Sequence, residues 1–213
     1  MTTFKHEMPF GAEVRENAVR FRVWAPAQET VRLRLESSGD ERELPMARGD
    51  GGWFELATDA ARPGDRYRYV LEDGTRVPDP ASRFQPDDVH GPSEVVDPDA
   101  YMWRHPEWRG RPWREAVVYE AHVGTFSATG DYDGVRAKLD HLADLGITAL
   151  ELMPLADFDG RRNWGYDGVL PFAPDHAYGS PAELKALVDR AHELGLMVLL
   201  DVVYNHFGPD GNY

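Results

Sequence analysis

The run Met197-Val198-Leu199-Leu200-Asp201-Val202-Val203 constrains the fold more than any other stretch of this chain. It is aliphatic, rich in β-branched side chains and free of Gly and Pro, and it leads into a polar tip carrying Asp201, Asn205 and His206. Parallel strands covered on both faces read as continuous apolar runs, and ligands gather where such strands end. The run therefore predicts a buried parallel strand with chemistry at its carboxyl end. A buried strand whose Asp201 only caps or pairs locally is the competing interpretation, and the preceding residues decide between the two.

Those residues alternate strand and helix signals. Val117-Val118-Tyr119-Glu120-Ala121-His122 reads as a strand, Val135, Leu139, Leu142 and Leu145 recur at helical spacing up to a stop at Gly146, and residues 147–153 form a second apolar run. Ser180-Pro181-Ala182-Glu183 is a capping box with proline at the first helical position. It opens a helix with the stripe Leu184, Leu187, Val188, Ala191 and Leu194, closed by Gly195. A β-α-β-α-β order with crossover helices requires a parallel sheet. Residues 154–179 show neither strand nor helix pattern, and a long ordered loop of this kind is usually functional. It contains Trp164-Gly165-Tyr166-Asp167-Gly168, which reads either as a sugar-stacking platform or as aromatic packing of the loop onto the rim of the sheet.

The first third of the chain has a different period. Val19, Phe21 and Val23 alternate with Arg20 and Arg22, Val31, Leu33 and Leu35 with Arg32, Arg34 and Glu36, and Tyr67, Tyr69 and Leu71 with Arg66, Arg68 and Glu72. Turn signals lie between them at Ala25-Pro26, Ser37-Ser38-Gly39-Asp40, Gly49-Asp50-Gly51-Gly52 and Asp73-Gly74. Short half-buried strands at this spacing predict a small β-sandwich over residues 1–77. Residues 78–114 then hold seven of the 16 prolines together with Trp103, Trp108 and Trp113, which predicts an extended connector packed on a domain surface. Residues 115–213 carry the parallel-sheet pattern.

Composition narrows the function. A formal charge of -14 over 213 residues supplies no global positive surface for phosphates, so neither nucleic acid nor an anionic membrane is an expected partner, and a neutral polar substrate fits better. Cysteine is absent, which removes disulfides and thiolate metal sites. No apolar run approaches a membrane span, and residues 1–6 lack a signal-peptide core, so a cytoplasmic location is expected. There is no Walker sequence, no G-x-G-x-x-G after a strand, no G-x-S-x-G and no H-E-x-x-H, so neither a nucleotide cofactor nor a histidine-based zinc site is expected. Most carboxylates fall on helix faces or in turns. Asp201, Asp167, Glu120 and Glu151 are exceptions by position.

At this point the motifs form a pattern. Asp201-Val202-Val203-Tyr204-Asn205-His206 resembles the first conserved region of the α-amylase superfamily of glycoside hydrolases, at the end of the third strand of a (β/α)8 TIM barrel. Tyr119-Glu120-Ala121-His122-Val123-Gly124-Thr125-Phe126, Asn163-Trp164-Gly165-Tyr166-Asp167-Gly168 and the connector segment 78–93 resemble the malto-oligosyltrehalose trehalohydrolases. Branching and debranching enzymes share the first region and the general layout. The resemblance implies an N-terminal immunoglobulin-like β-sandwich followed by the first three β/α units of the barrel. It also implies retaining hydrolysis of the α-1,4 bond that joins a terminal trehalose to a malto-oligosaccharide. A complete barrel takes about 250 residues. The chain ends at Tyr213, so the nucleophilic aspartate after the fourth strand and the acid/base glutamate after the fifth are expected beyond it, and the chain alone is expected to be inactive.

Carried over position by position, the resemblance makes His206 a hydrogen-bond partner of a hydroxyl on the sugar at the cleavage point. Asp201 would order the floor of that subsite and Tyr166 would stack on the same sugar. Trp164 and Asn205 complete the substrate-facing set. The calcium role that Asn205 has in many amylases is not carried over, because this class resembles the metal-independent members. Malto-oligosyltrehalose is the implied partner. A glycan-binding module acting through the sandwich is the alternative, with Trp24 and Trp53 as its candidates, although both occupy strand positions where core packing is expected.

Overall fold

A computed structural model describes residues 8–37 and 40–213. Residues 1–6, expected to lack a signal-peptide core, and the Ser38-Gly39 tip of the second expected turn lie outside the described residues. The chain forms two compact units, one ending at Asp97 and the other spanning Pro98–Asn212.

In the first unit the alternating arginine-rich segments form antiparallel strands. They are β1 (Gly11–Val14), β2 (Val19–Trp24), β3 (Arg32–Ser37), β4 (Asp40–Pro45), β5 (Ala47–Arg48), β6 (Trp53–Thr58), β7 (Arg66–Val70), β8 (Arg76–Val77) and β9 (Ser93–Glu94). One sheet has the order β1-β2-β6-β5 and the other β4-β3-β7-β8, with β9 on β7. Alternation sends Val19, Phe21, Val23, Leu33, Leu35, Phe54, Tyr67 and Tyr69 into one shared core. Each fully buried large side chain there contributes about 1.5–3 kcal/mol relative to an exposed one. Two features depart from the sequence expectation. Trp24 is 58% exposed and does not pack in the core, because it opposes Trp53 on the outward face of the β2–β6 pair. The unit also runs to Asp97, past the boundary expected at residue 77, because part of the connector is built into it.

Asp79 explains that extension. Its buried carboxylate accepts hydrogen bonds from the hydroxyls of Tyr67 (2.7 Å) and Tyr69 (3.2 Å) and from the backbone N–H of Ala81 (2.8 Å). Its own N–H donates to Oγ of Ser93 (3.0 Å), the first residue of β9. Burial pushes the Asp79 carboxyl up, and burial followed by the Asp79 charge raises both phenols well above their usual range.

The second unit contains β10 (Val118–Ala121), α1 (Val123–Phe126), α2 (Tyr132–Arg136), α3 (Leu139–Asp144), β11 (Ala149–Leu152), β12 (Ala156–Asp157), β13 (Leu170–Pro174), α4 (Pro181–Glu193) and β14 (Met197–Leu200). The strands β10, β11 and β14 pair in parallel in that order. Asp131 caps α2 through the N–H of Gly134 (2.7 Å), and the predicted capping box on α4 is formed by Ser180 and Glu183. Gly146 (φ 89°) and Gly195 (φ 73°) adopt the left-handed conformation that ends the helices before β11 and β14. Val135, Leu139, Leu142, Leu187 and Ala191 pack on Leu150 and Leu152. The single helix expected over 135–145 is instead two short helices separated at Ala137-Lys138, and Leu145 is 62% exposed beyond the second.

Two further expectations are corrected. β14 pairs only with β11 among the described residues, and there Met197, Val198 and Leu199 are half-buried and Leu200 is 51% exposed. Residues 154–179 are not patternless either, because β12 and β13 make a short antiparallel ladder with an irregular register. Pro171 and Pro174 remove ladder donors and hid this strand from the sequence pattern. The rest of the connector is latched to α4 by the buried Asp189, which accepts from Tyr101 Oη (3.1 Å), the N–H of Arg104 (2.9 Å) and the backbone N–H and Nδ1 of His105 (3.1 Å each). Burial pushes the Asp189 carboxyl up, but these donors outweigh it and hold the group below its usual range. No helix among the described residues is long and apolar enough to cross a membrane.

Buried carboxylates also support the hairpin. Asp175 accepts from the N–H groups of Phe158 (3.2 Å) and Ala177 (2.8 Å), while Asp157 accepts from the N–H (3.2 Å) and Nδ1 (3.2 Å) of His176. Burial and then the Asp157 charge push the Asp175 carboxyl up to about 7.

Two predictions concern these buried acids. Asp79→Ala leaves two buried phenols without their acceptor and is expected to destabilise the protein by several kcal/mol, at about 1–3 kcal/mol for each unsatisfied group. Asp79→Asn keeps an acceptor and is expected to lose less. Urea melts compare the two, and an Ala variant as stable as the wild type contradicts the role assigned to Asp79. For Asp175, a raised folded pKa means its contribution is complete below the unfolded value of about 4 and is lost as pH rises through about 7. Asp175→Asn is therefore expected to flatten the decline in melting temperature between pH 5 and 8, whereas parallel curves contradict the assignment.

Candidate functional site

The parallel register aligns Ala121 with Leu152 and Leu152 with Leu200, so the chain leaves all three strands at one level. His122, Met153 and Asp201 are the first residues beyond that level. The Asp201 N–H still bonds to the carbonyl of Leu152 (2.9 Å), which continues the ladder for one residue and fixes where the carboxylate emerges.

The loop that follows β11 returns over this edge. The Tyr166 hydroxyl donates to Oδ2 of Asp201 (3.1 Å), and Nε2 of His206 lies 2.8 Å from the backbone carbonyl of Tyr166. A carbonyl only accepts, so this contact places the His206 proton on Nε2 and leaves Nδ1 as an acceptor. Tyr166 is 40% exposed, which leaves its ring available for stacking, and Trp164 is 76% exposed and not buried against the sheet. Tyr166, Asp201 and His206 are thus brought together. Asn205 is exposed on the same segment as Asp201 and His206, and Trp164 is exposed on the loop two residues before Tyr166.

Close backbone packing holds the two segments together. The N–H of Gly208 bonds to the carbonyl of Gly168 (3.2 Å), and a side chain at Gly208 would meet the Asp167 carbonyl at 2.0 Å. At Gly165 (φ 97°) a side chain would meet the Pro154 carbonyl at 2.4 Å. Only glycine satisfies either position. Asn163 organises the turn from within: its Oδ1 accepts from the N–H of Gly165 (2.8 Å) and its Nδ2 donates to Asp167 (2.8 Å). Its backbone carbonyl lies 2.7 Å from Nε2 of His122, at the end of β10. His122 and Asn163 were not among the residues picked out from the sequence as site candidates. The Asn-x-Gly spacing of Asn163 and Gly165 is an Asx-turn signal that points to the second of them.

The charges that act on the Tyr166 phenol are carboxylates. Glu120 and Glu151 oppose each other in the register of β10 and β11, and Asp201 lies beyond β14. The hydrogen bond to Asp201 is the first cause of a raised Tyr166 phenol, followed by burial and the charges of Asp201, Glu120 and Glu151. Such a surface repels anions. It suits a neutral polyhydroxyl ring that stacks on an aromatic face, and it favours positive charge that develops on that ring.

Comparison with known proteins agrees with this chemistry. Residues 86–213 match the alpha amylase catalytic domain and residues 9–98 match carbohydrate-binding module 48, the isoamylase N-terminal domain. The malto-oligosyltrehalose trehalohydrolase of Saccharolobus solfataricus is 47% identical over 206 residues, which cover 97% of this chain and 36% of that protein. The protein of the same name from Deinococcus radiodurans is 50% identical over 194 residues, covering 91% of this chain and 31% of that one. The crystal structure of a putative alpha amylase from Salmonella typhimurium superposes with a TM-score of 0.92 at 52% identity, covering 98% of this chain and 35% of that one. The chain spans about a third of the length of these curated relatives. By its catalytic-domain match, this chain belongs to the alpha-amylase family.

Proposed function

We propose that the full-length protein releases trehalose from malto-oligosyltrehalose by retaining hydrolysis of the adjoining α-1,4 bond. In this reading the present chain supplies the immunoglobulin-like sandwich, the connector and the first three β/α units of the (β/α)8 barrel. The observation that carries it is the knitted set Tyr166, Asp201 and His206 at the carboxyl edge of parallel strands. Two trehalohydrolase relatives at 47% and 50% identity support the substrate.

In this reading, Tyr166 stacks on the sugar at the cleavage point while Asp201 fixes the angle of its ring through the phenol. Nδ1 of His206 accepts a hydrogen bond from a sugar hydroxyl, because Nε2 is committed to the Tyr166 carbonyl. Trp164 and Asn205 contact neighbouring sugars at the rim. The carboxylates Asp201, Glu120 and Glu151 favour an oxocarbenium-like transition state over the neutral substrate. The nucleophile and the acid/base, about 5–5.5 Å apart in retaining enzymes, are assigned to later strands of the barrel.

A second reading has its own support. The exposed indole of Trp24, opposite Trp53 on the outer face of the sandwich, leaves a surface on which a glucan could be held away from the cleavage point.

Assaying trehalose release from malto-oligosyltrehalose by the full-length protein tests the first reading, and formation of branched glucan without trehalose overturns it. Within that enzyme, His206→Ala is expected to lower kcat/KM about ten- to a hundredfold, equivalent to about 1–3 kcal/mol for a hydrogen bond that tightens in the transition state. Its melting temperature is expected to hold, since His206 is exposed and leaves little cavity. A lower melting temperature with unchanged kcat/KM removes His206 from the site.

A further inference from the structure

β10 runs directly into His122, which does not reach the Tyr166 ring yet is tied to the loop that carries it. The imidazole is half-buried, packed edge-to-face on Tyr178 with ring centroids 5.9 Å apart at 86°. Space for it depends on Gly124, where a Cβ would lie 3.0 Å from Cε1 of His122 and 3.1 Å from the Tyr178 ring. Nε2 faces the Asn163 carbonyl at 2.7 Å and the Tyr178 hydroxyl at 3.3 Å, and Nδ1 lies 3.4 Å from Oγ1 of Thr125. The carbonyl requires the proton on Nε2, and Nδ1 is then free to accept from the threonine.

We propose that His122 is a positioning residue for the Tyr166 platform, acting through Asn163; the inference rests on the reading of Tyr166 as a sugar-stacking residue. The relay is continuous. His122 holds the backbone of Asn163, and the side chain of Asn163 holds the N–H of Gly165 and the carboxylate of Asp167. These two residues flank Tyr166 on either side. The phenol and the carbonyl of Tyr166 are then taken by Asp201 and His206. The ends of β10 and β14 therefore grip the same loop from opposite edges of the sheet, His122 through Asn163 and Asp201 with His206 directly. Close packing at Gly165 and Gly208 seats the loop from the β11 and β14 sides, and the donor at the end of β10 adds a third hold, on Asn163. Reactions of bound substrates are sensitive to such placement, and a displacement of about 1 Å can cost up to about a hundredfold in rate.

The test is a double-mutant cycle in the full-length protein with malto-oligosyltrehalose as substrate. His122→Phe keeps a ring but removes the donor and is expected to lower kcat/KM about tenfold. His122→Gln restores an N–H donor and is expected to return to within about threefold of wild type. In a Tyr166→Ala background, His122→Phe is expected to add less than about twofold, because the platform it positions is gone. Asn163→Ala, which cuts the relay at its middle, must give the same pattern and serves if His122→Phe fails to fold. Exchange of the Gly165 and Asp167 amides is expected to quicken in His122→Phe and to recover in His122→Gln. Full additivity with Tyr166→Ala, or unchanged kcat/KM in both His122→Phe and Asn163→Ala, overturns the proposal. If Tyr166→Ala itself leaves kcat/KM unchanged, the sugar-stacking reading fails, and amide exchange still reports whether His122 holds the loop.

Discussion

Parallel pairing of β10, β11 and β14 in one register is the constraint on which the rest of the catalytic-domain part depends. A strand alternates its side chains, so slipping the register by one residue would exchange the two faces. In the observed register Leu150, Leu152, Ala121 and Val198 join the core built with the helices. Alternation then directs Glu120 and Glu151 to the opposite face, side by side. The same alignment brings His122, Met153 and Asp201 out of the sheet together, so that one loop can be held from both sides.

What is held is a short turn made rigid by polar contacts more than by apolar burial. Two glycines allow backbone segments to approach within distances that a side chain would block, one at Gly165 against Pro154 and one at Gly208 against Asp167. Asn163, Asp201 and His206 then satisfy the polar groups that this close packing exposes. The outcome is an aromatic ring of fixed height over an acidic floor. The acidic character of the chain as a whole, with a formal charge of -14, is in keeping with a neutral sugar as ligand and not with a phosphorylated one.

Much of this was legible in the sequence because the patterns were local. The capping box at Ser180 and Glu183, the glycine stops at Gly146 and Gly195, and the alternation in β2, β3 and β7 each depend on residues a few positions apart. Features that depend on distant partners were not. The half-exposure of β14 goes with its pairing to β11 alone among the described residues, which an apolar run does not report. Trp24 was expected in the core because its strand was known but the face it takes beside Trp53 was not. The unit boundary moved from residue 77 to Asp97 because Asp79 and Ser93 draw a proline-rich segment onto Tyr67 and Tyr69, a buried polar network with no periodic signature. Within the site, Tyr166, Asp201 and His206 stood in motifs, whereas His122 and Asn163 act through a contact 41 positions apart along the chain.

The proposed function requires a glucose ring to lie on Tyr166 at the carboxyl edge of these strands. A crystal structure of the full-length protein with a bound malto-oligosaccharide measures this directly. A sugar ring is expected stacked at about 3.5–4 Å from the Tyr166 ring, with Asp201 on the phenol and Nδ1 of His206 on a sugar hydroxyl. A glucan bound elsewhere, with the Tyr166 ring covered by protein, would contradict it.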